Sequence, residues 1–372
     1  MRSFEYFLFE NFDAEQETSN PDNPRMFLGE EADELLSFTA QNTVNDCSYG
    51  ACCARFGSLL VEKMISAGVL RREGASLLFD SPVFLREDAG VLYAQIAAKA
   101  DGLAALVEKR LSDIRMCCSK IKNGFSVEQN LYHILCGMVF DGHFFDYLSE
   151  RGALSVSRLH PSGLDYLTVV YERCEELKGL SDGMLCSYNR LANDKCSLQS
   201  FGDAQGDRFD FYRFFRLREK GMLPPKFQEA EAILAESCCA DKEILLSETV
   251  SFVRMGQCAP AVRKLLELFD YTRGGELCVP VYTASHQKWI MEIEKIVECC
   301  LGEAVVCVLE DLASSIDITA VRHGVDRHEI ANELYHIAFG SINEGLVSRG
   351  IVAAPDFIPG EGRGSKCIEL YA

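Results

Sequence analysis

The sequence is short of basic residues. It has 37 Lys and Arg against 56 Asp and Glu, a formal net charge of −19 over 372 residues. A general attraction to nucleic acid or to an anionic membrane is thereby excluded, because such binding needs cations to displace counterions. Any DNA contact has to come from a local basic patch. No apolar run approaches the length of a bilayer span. The opening residues, MRSFEYFLFENFDAEQE, turn acidic where a signal peptide needs a longer apolar stretch. A cytoplasmic protein without membrane association is expected. The 17 cysteines include no C-x-x-C pair, which argues against a zinc knuckle or a redox turn. Four adjacent doublets (Cys52-Cys53, Cys117-Cys118, Cys238-Cys239, Cys299-Cys300) cannot easily turn both thiolates onto one ion within a helix. Most cysteines sit among Leu, Val, Ile and Met, where a free thiol acts as a small hydrophobe. No cofactor and no metal are expected.

What is present is an ordinary globular composition, 48% apolar and 25% charged, in a chain long enough for two or three domains. Residues 1–26 read as an acidic tail with a turn cluster at NPDNP. Helical spacing begins with Ala32, Leu35, Leu36 and Ala40, and a second helix is expected over Ser48 to Arg55. GSLLVEKMISAG supplies a third, stopped by Gly68, and VLRREGASLLFDSPVFL reads as a hairpin about REGA. Residues 89–124 read as one long connecting helix, a linker or a homodimerisation element. Residues 125–300 read as a mixed α/β domain with strands at LDYLTVVYE, MLCSYNRL, CSLQSF and ELCVPVYT.

The three helices and hairpin of 27–88 follow the order of a winged helix-turn-helix, and LLVEKMISAGVLRREGASLLFDSPVFL resembles the end of such a domain. Residues 301–372 repeat the theme, with MISAGVL (64–70) matching LVSRGIV (346–352) in pattern. The resemblance implies an α+β, predominantly helical chain with two winged-helix-like modules flanking the central domain. It also implies DNA contact through Arg55, Lys63, Arg71 and Arg72 of the first module, the second being too acidic.

Chemistry is best sought in SFGDAQGDRFDFYRFFRLREKG, residues 200–221. Asp207 reads as the N-cap of a helix, with Asp210 in its first turn and Phe211, Phe214 and Phe215 on one buried stripe. Asp203 and Asp207 would repel a phosphate, and the spacing matches neither a phosphate loop nor a calcium loop. A pocket for a small polar or zwitterionic ligand, formed by Asp203, Asp207, Arg208, Phe211 and Tyr212, is the sharper expectation. Elsewhere, H-E-x-x-H fails because Asn332 stands where the second His is needed. Glu329, Glu333, His336 and His328 then read as a solvated polar face. Ser285 reads as an N-cap beside His286, and His133 and His143 as core histidines. No catalytic constellation can be assembled from spacing.

The function expected first is therefore a bacterial-type transcription regulator with a ligand-sensing or oligomerising centre. The alternatives are winged-helix modules that dock a protein or peptide partner, or an enzyme with its site in 125–300 drawing on Asp203, Asp207, Arg208 and His286.

Overall fold

A computed structural model of the chain describes residues 2–10, 29–41, 47–160, 164–181, 184–204, 208–219, 221–236 and 241–371. The architecture is α+β and predominantly helical. It divides into two compact units. Met1–Leu103, Phe145–Ser181 and Gly302–Ser341 form the first, and Ala104–Phe144, Asp182–Leu301 and Ile342–Ala372 the second.

In the first unit, strand β1 (Phe4–Glu10) precedes helices α1 (Glu30–Gln41), α2 (Tyr49–Phe56) and α3 (Ser58–Ser66). Strands β2 (Leu70–Glu73) and β3 (Ser76–Phe79) then form a hairpin that turns at Gly74, φ 60°. The three- and four-residue spacing of Ala32, Leu35 and Leu36 puts them on one buried face of α1. The Ser48 hydroxyl caps α2 at the Ala51 N–H. Ser48 also bridges Ser76 on β3, flanked by Leu77 N–H to Cys47 O and Tyr49 N–H to Ala75 O, both 2.8 Å. The segment thus runs helix, bridging residue, helix, helix, strand, strand. A separate sheet is built around β6 (Asp165–Glu172), which pairs antiparallel with β1, parallel with β4 (Val83–Phe84) and antiparallel with β5 (Arg158–Leu159).

The second unit holds a five-stranded sheet in the order β11 (Val281–Tyr282), β13 (Gly362–Leu370), β8 (Cys196–Asp203) and β7 (Leu185–Ala192), with β12 (Phe357–Ile358) also on β13. A two-stranded ribbon, β9 (Thr272–Arg273) and β10 (Glu276–Leu277), stands apart from it. One sheet face packs Leu198, Ile368 and Leu370 against an aromatic cluster. Phe211 stacks on Phe269 at 4.0 Å there, and Phe214 and Phe215 are buried beside them. On the opposite face runs a π-helical stretch, Tyr132–His143, where Gly137 lets Phe201 and Tyr188 approach its backbone.

Several expectations need revision. The acidic tail begins with a strand: FEYFLFE has the aromatic content of a strand, buries Phe4 and pairs with β6 along its full length. Residues 11–28 lie outside the described residues. The long helix expected over 89–124 is two helices, Ala89–Lys109 and Leu111–Cys118. They break at Arg110, whose backbone leaves helical geometry (φ −106°, ψ 4°) and whose Nε reaches the Asp113 carboxylate at 2.9 Å. By length and composition, Arg86–Lys109 is the one described helical stretch that could cross a membrane, a test that core helices also pass. The strand ELCVPVYT is two short strands interrupted at 278–280. The expected boundary at 300/301 falls inside one helix, Ala284–Ser315, where Gly302 continues the helix and leaves room for the Tyr147 ring.

The segment 301–372 is shared between the units, and β13 pairs with β8 from Gly364↔Gly202 to Leu370↔Cys196. The seven-residue repeat has a simpler origin. Gly68 (φ 65°) and Gly350 (φ 64°) each close a helix with the same pair of bonds. These are Gly68 N–H to Ile65 O with Val69 N–H to Met64 O, and Gly350 N–H to Val347 O with Ile351 N–H to Leu346 O. This is the Schellman stop, which selects glycine and a flanking apolar pair. Gly152, Gly221 and Gly324 close helices in the same way.

Candidate functional site

A cavity of about 520 Å³ opens in the second unit beside the β8–β13 pair. That is the size of an ordinary small-molecule site. Its floor is set by alternation along β13, where Gly364 and Lys366 share one face and Ser365 takes the other. The Ser365 hydroxyl accordingly bonds His133 Nε2 at 2.8 Å across the sheet. Lys366 and Arg208 line the cavity with Ser200, Phe209, Val279 and Ile358.

Arg208 is only 3% exposed. Its Nη1 donates to Asp203 O at 2.6 Å, and its Nη2 donates to Ser187 O and Oγ at 3.0 and 2.9 Å. Its Nε has no hydrogen-bond partner among the described residues and stands 4.0 Å from Asp210 Oδ2. Burial pushes the guanidinium down to about 10, and the neighbouring charge of Arg213 works in the same direction. The aliphatic part of Arg208 needs a bare backbone beneath it, which Gly364 provides. Lys366 donates Nζ to Phe269 O at 2.8 Å, and Asp270 Oδ2 stands 3.8 Å from the ammonium. Burial lowers its pKa. Asp270, Glu361 and Arg273 complete the charged lining, and all three are exposed.

Of the four described residues among the five expected to form a pocket, Arg208 alone lines this one. Asp203 holds the end of the β8–β13 pair instead: its carboxylate accepts from Arg363 N at 2.7 Å, Nε at 3.0 Å and Nη2 at 2.6 Å. Arg363 also grips Glu344, with Nη1 to Oε2 at 2.9 Å, and these carboxylates raise its pKa against the cost of burial. Phe211 lies in the aromatic core, and the Tyr212 hydroxyl accepts from Arg216 at 3.1 Å. Asp207 lies outside the described residues. The N-cap of the helix Phe211–Glu219 is Asp210, whose Oδ1 accepts from Arg213 N–H at 2.8 Å. Asn189 and Ser200 add bonds to its Oδ2. Sequence reasoning missed Lys366 and Asp270 because no local motif marks them. They meet only through strand pairing and a helix end far apart in the chain.

The basic set of the first unit is dispersed. Arg71 donates to Phe79 O at 2.7 Å and to His323 O at 2.5 Å, and it is tied into the fold. Arg55 is exposed and lies 5.0 Å over the Phe38 ring, and Arg72 is exposed and lies 4.2 Å over Tyr49. Lys63 is half-buried on α3.

The face read as solvated on the helix Arg327–Ser348 is largely buried. Glu333 accepts from the Tyr171 hydroxyl at 2.5 Å, and Glu329 pairs with Arg158 at 3.0 Å. Burial pushes both carboxyls up to about 7 and lowers His336 to about 4. His328 is half-buried, beside Asp326. No group of His, Cys, Asp and Glu among the described residues is arranged to hold a metal ion. The cap expected at Ser285 is Thr283, which receives His286 N–H and returns its own N–H to the His286 ring. No hydrogen bond or ion pair joins His286 to Asp203 or Arg208 among the described residues. His133 is buried and pushed down to about 4, and His143 pairs with Glu298 at 3.1 Å. The chain matches no protein-family model, no curated protein and no solved structure.

Proposed function

We propose that the chain is a regulator-like protein whose second unit binds a small polar or zwitterionic ligand and whose residues 30–79 act as a winged-helix-like interaction module. The observation that carries ligand binding is the presence of two cations, the buried Arg208 and the half-buried Lys366, on the wall of one cavity of about 520 Å³ in a chain of net charge −19. Buried cations that are only partly neutralised lower the free energy of a bound anion far more than surface cations do. Native mass spectrometry with a pool of small acids and amino acids tests this. Wild type should retain an adduct that Gly364→Val, which fills the floor, does not retain; an unchanged adduct in the variant contradicts the reading.

The order helix, bridging residue, helix, helix, hairpin over 30–79 supports the winged-helix reading. α3 occupies the position of a reading helix, and it offers Leu59, 72% exposed, next to Glu62 and Lys63. That surface favours a protein partner over DNA, since phosphate contacts need unengaged cations. The exposed pair Arg55 and Arg72 keeps the DNA reading in play. Fluorescence anisotropy with random duplex separates the two. Salt-dependent binding lost in Arg55→Ala with Arg72→Ala supports DNA, and its absence at low salt supports a protein partner.

A further inference from the structure

We infer that the cavity of the second unit takes an α-amino acid with an apolar side chain, its carboxylate inward at Arg208 and Lys366 and its ammonium outward at Asp270. The inference rests on the ligand-binding reading above and names the ligand.

The strongest sign is the backbone of Asp270. Six described helix ends close with the same pair of hydrogen bonds, and five of them place glycine in the left-handed position. At the sixth, the helix Pro260–Leu268, that position is Asp270, with φ 54°. Asp270 N–H bonds Glu267 O and Tyr271 N–H bonds Leu266 O, as at the glycine stops. Asp270 is the one non-glycine residue with positive φ among the described residues. A side chain there is strained relative to glycine, so its retention at a cavity rim points to use of the carboxylate. The contact with Lys366 does not account for it: the separation is 3.8 Å and the Asp270 side chain is 72% exposed, which makes a weak pair.

The remaining lining sorts by depth. Arg208, buried, and Lys366, half-buried, are the inner charges, and the exposed rim carries two acids, Asp270 and Glu361, against one cation, Arg273. A dication or simple amine would meet the inner cations, and a phosphate dianion would have to pass the outer acids. An amino acid presents one charge of each sign in the matching order. Lys366 spends one of three N–H donors on Phe269 O, which leaves donors for a carboxylate. Phe209, Val279 and Ile358 supply apolar wall for the side chain.

Isothermal titration with L-phenylalanine and L-leucine, set against 3-phenylpropanoate and 2-phenylethylamine, tests the inference on the full chain. The amino acids should bind, and the acid and amine should each bind about tenfold more weakly or worse, since each loses a charge-assisted bond. Asp270→Gly should melt at a higher temperature than wild type yet bind L-phenylalanine no better than 3-phenylpropanoate. Asp270→Asn should lose the same preference, and Lys366→Met should lose affinity for both. If 3-phenylpropanoate matches L-phenylalanine in wild type, or if Asp270→Gly keeps the preference, the amino-acid assignment falls while the cavity still binds acids. If none of the four compounds binds, this inference is overturned. The adduct test in Gly364→Val then decides the ligand-binding reading separately.

Discussion

Arg208 lies directly over Gly364: a Cβ added at Gly364 would stand 2.7 Å from Arg208 Cδ. The cavity wall and the sheet backbone are therefore fitted to one another. Gly364→Ala should push Arg208 aside and destabilise the chain by about 1–3 kcal/mol, the usual cost of overpacking. Across the ladder, Gly202 is tighter, because its added Cβ would strike the Arg363 carbonyl, which cannot swing away. Urea denaturation of the two alanine variants should place Gly202→Ala below Gly364→Ala. The reverse order would mean that Arg208 is held more rigidly than the backbone.

The bridge between Asp203 and Arg363 fixes the end of the same strand pair. Arg363→Ala leaves the Asp203 carboxylate, 7% exposed, without its cation. A loss of about 3 kcal/mol is expected from an uncompensated buried charge. Asp203→Asn should cost less, since Arg363 keeps Glu344. Equal losses in a chemical-denaturation series would contradict this division.

Glu329 and Glu333 give the first unit a signed pH response. Their folded values near 7 lie above the ordinary 4.5. The stability linked to their protonation is complete below about 4.5 and is lost as pH rises through about 7. His160, His323 and His336, each lowered to about 4, act the other way, losing stability as pH falls below 6.5. The clean observable is a difference. Glu333→Gln should gain stability relative to wild type as pH rises from about 4.5 to about 7, where the unfolded carboxyl is ionised and the native one still holds its proton, and the difference should level off above that. A pH-independent difference would show that Glu333 does not titrate there.

Arg71 distinguishes a structural arginine from a phosphate contact. Its bonds to Phe79 O and His323 O predict that Arg71→Ala lowers stability by about 1–2 kcal/mol. Arg72→Ala, which removes a stacked surface side chain, should stay within about 0.5–1 kcal/mol of wild type. Thermal denaturation of both variants checks the order.

Local chemistry was legible in the sequence wherever it decides structure alone. The helices α1 to α3 with their hairpin, the strands of 165–172, 185–192 and 196–203, and the phenylalanine stripe of 211–215 all follow from periodicity and turn residues. The sevenfold match at Gly68 and Gly350 was legible too, but it encodes a helix stop. A C-cap selects the same residues wherever a helix ends. Not legible were the partners of β1 and β13, which depend on pairings across more than a hundred residues. For the same reason the site surfaced as Arg208 without Lys366 or Asp270. Asp270 could have been suspected only by recognising an acid where helix stops elsewhere use glycine.

The measurement that tests the account most directly is the adduct mass retained by the native protein from a pool of small acids and amino acids, in wild type and in Lys366→Met. The account predicts a single small adduct on wild type that Lys366→Met loses while staying folded. Retention of the same adduct by the variant, or no adduct on wild type at saturating ligand, would contradict a ligand site at Arg208 and Lys366.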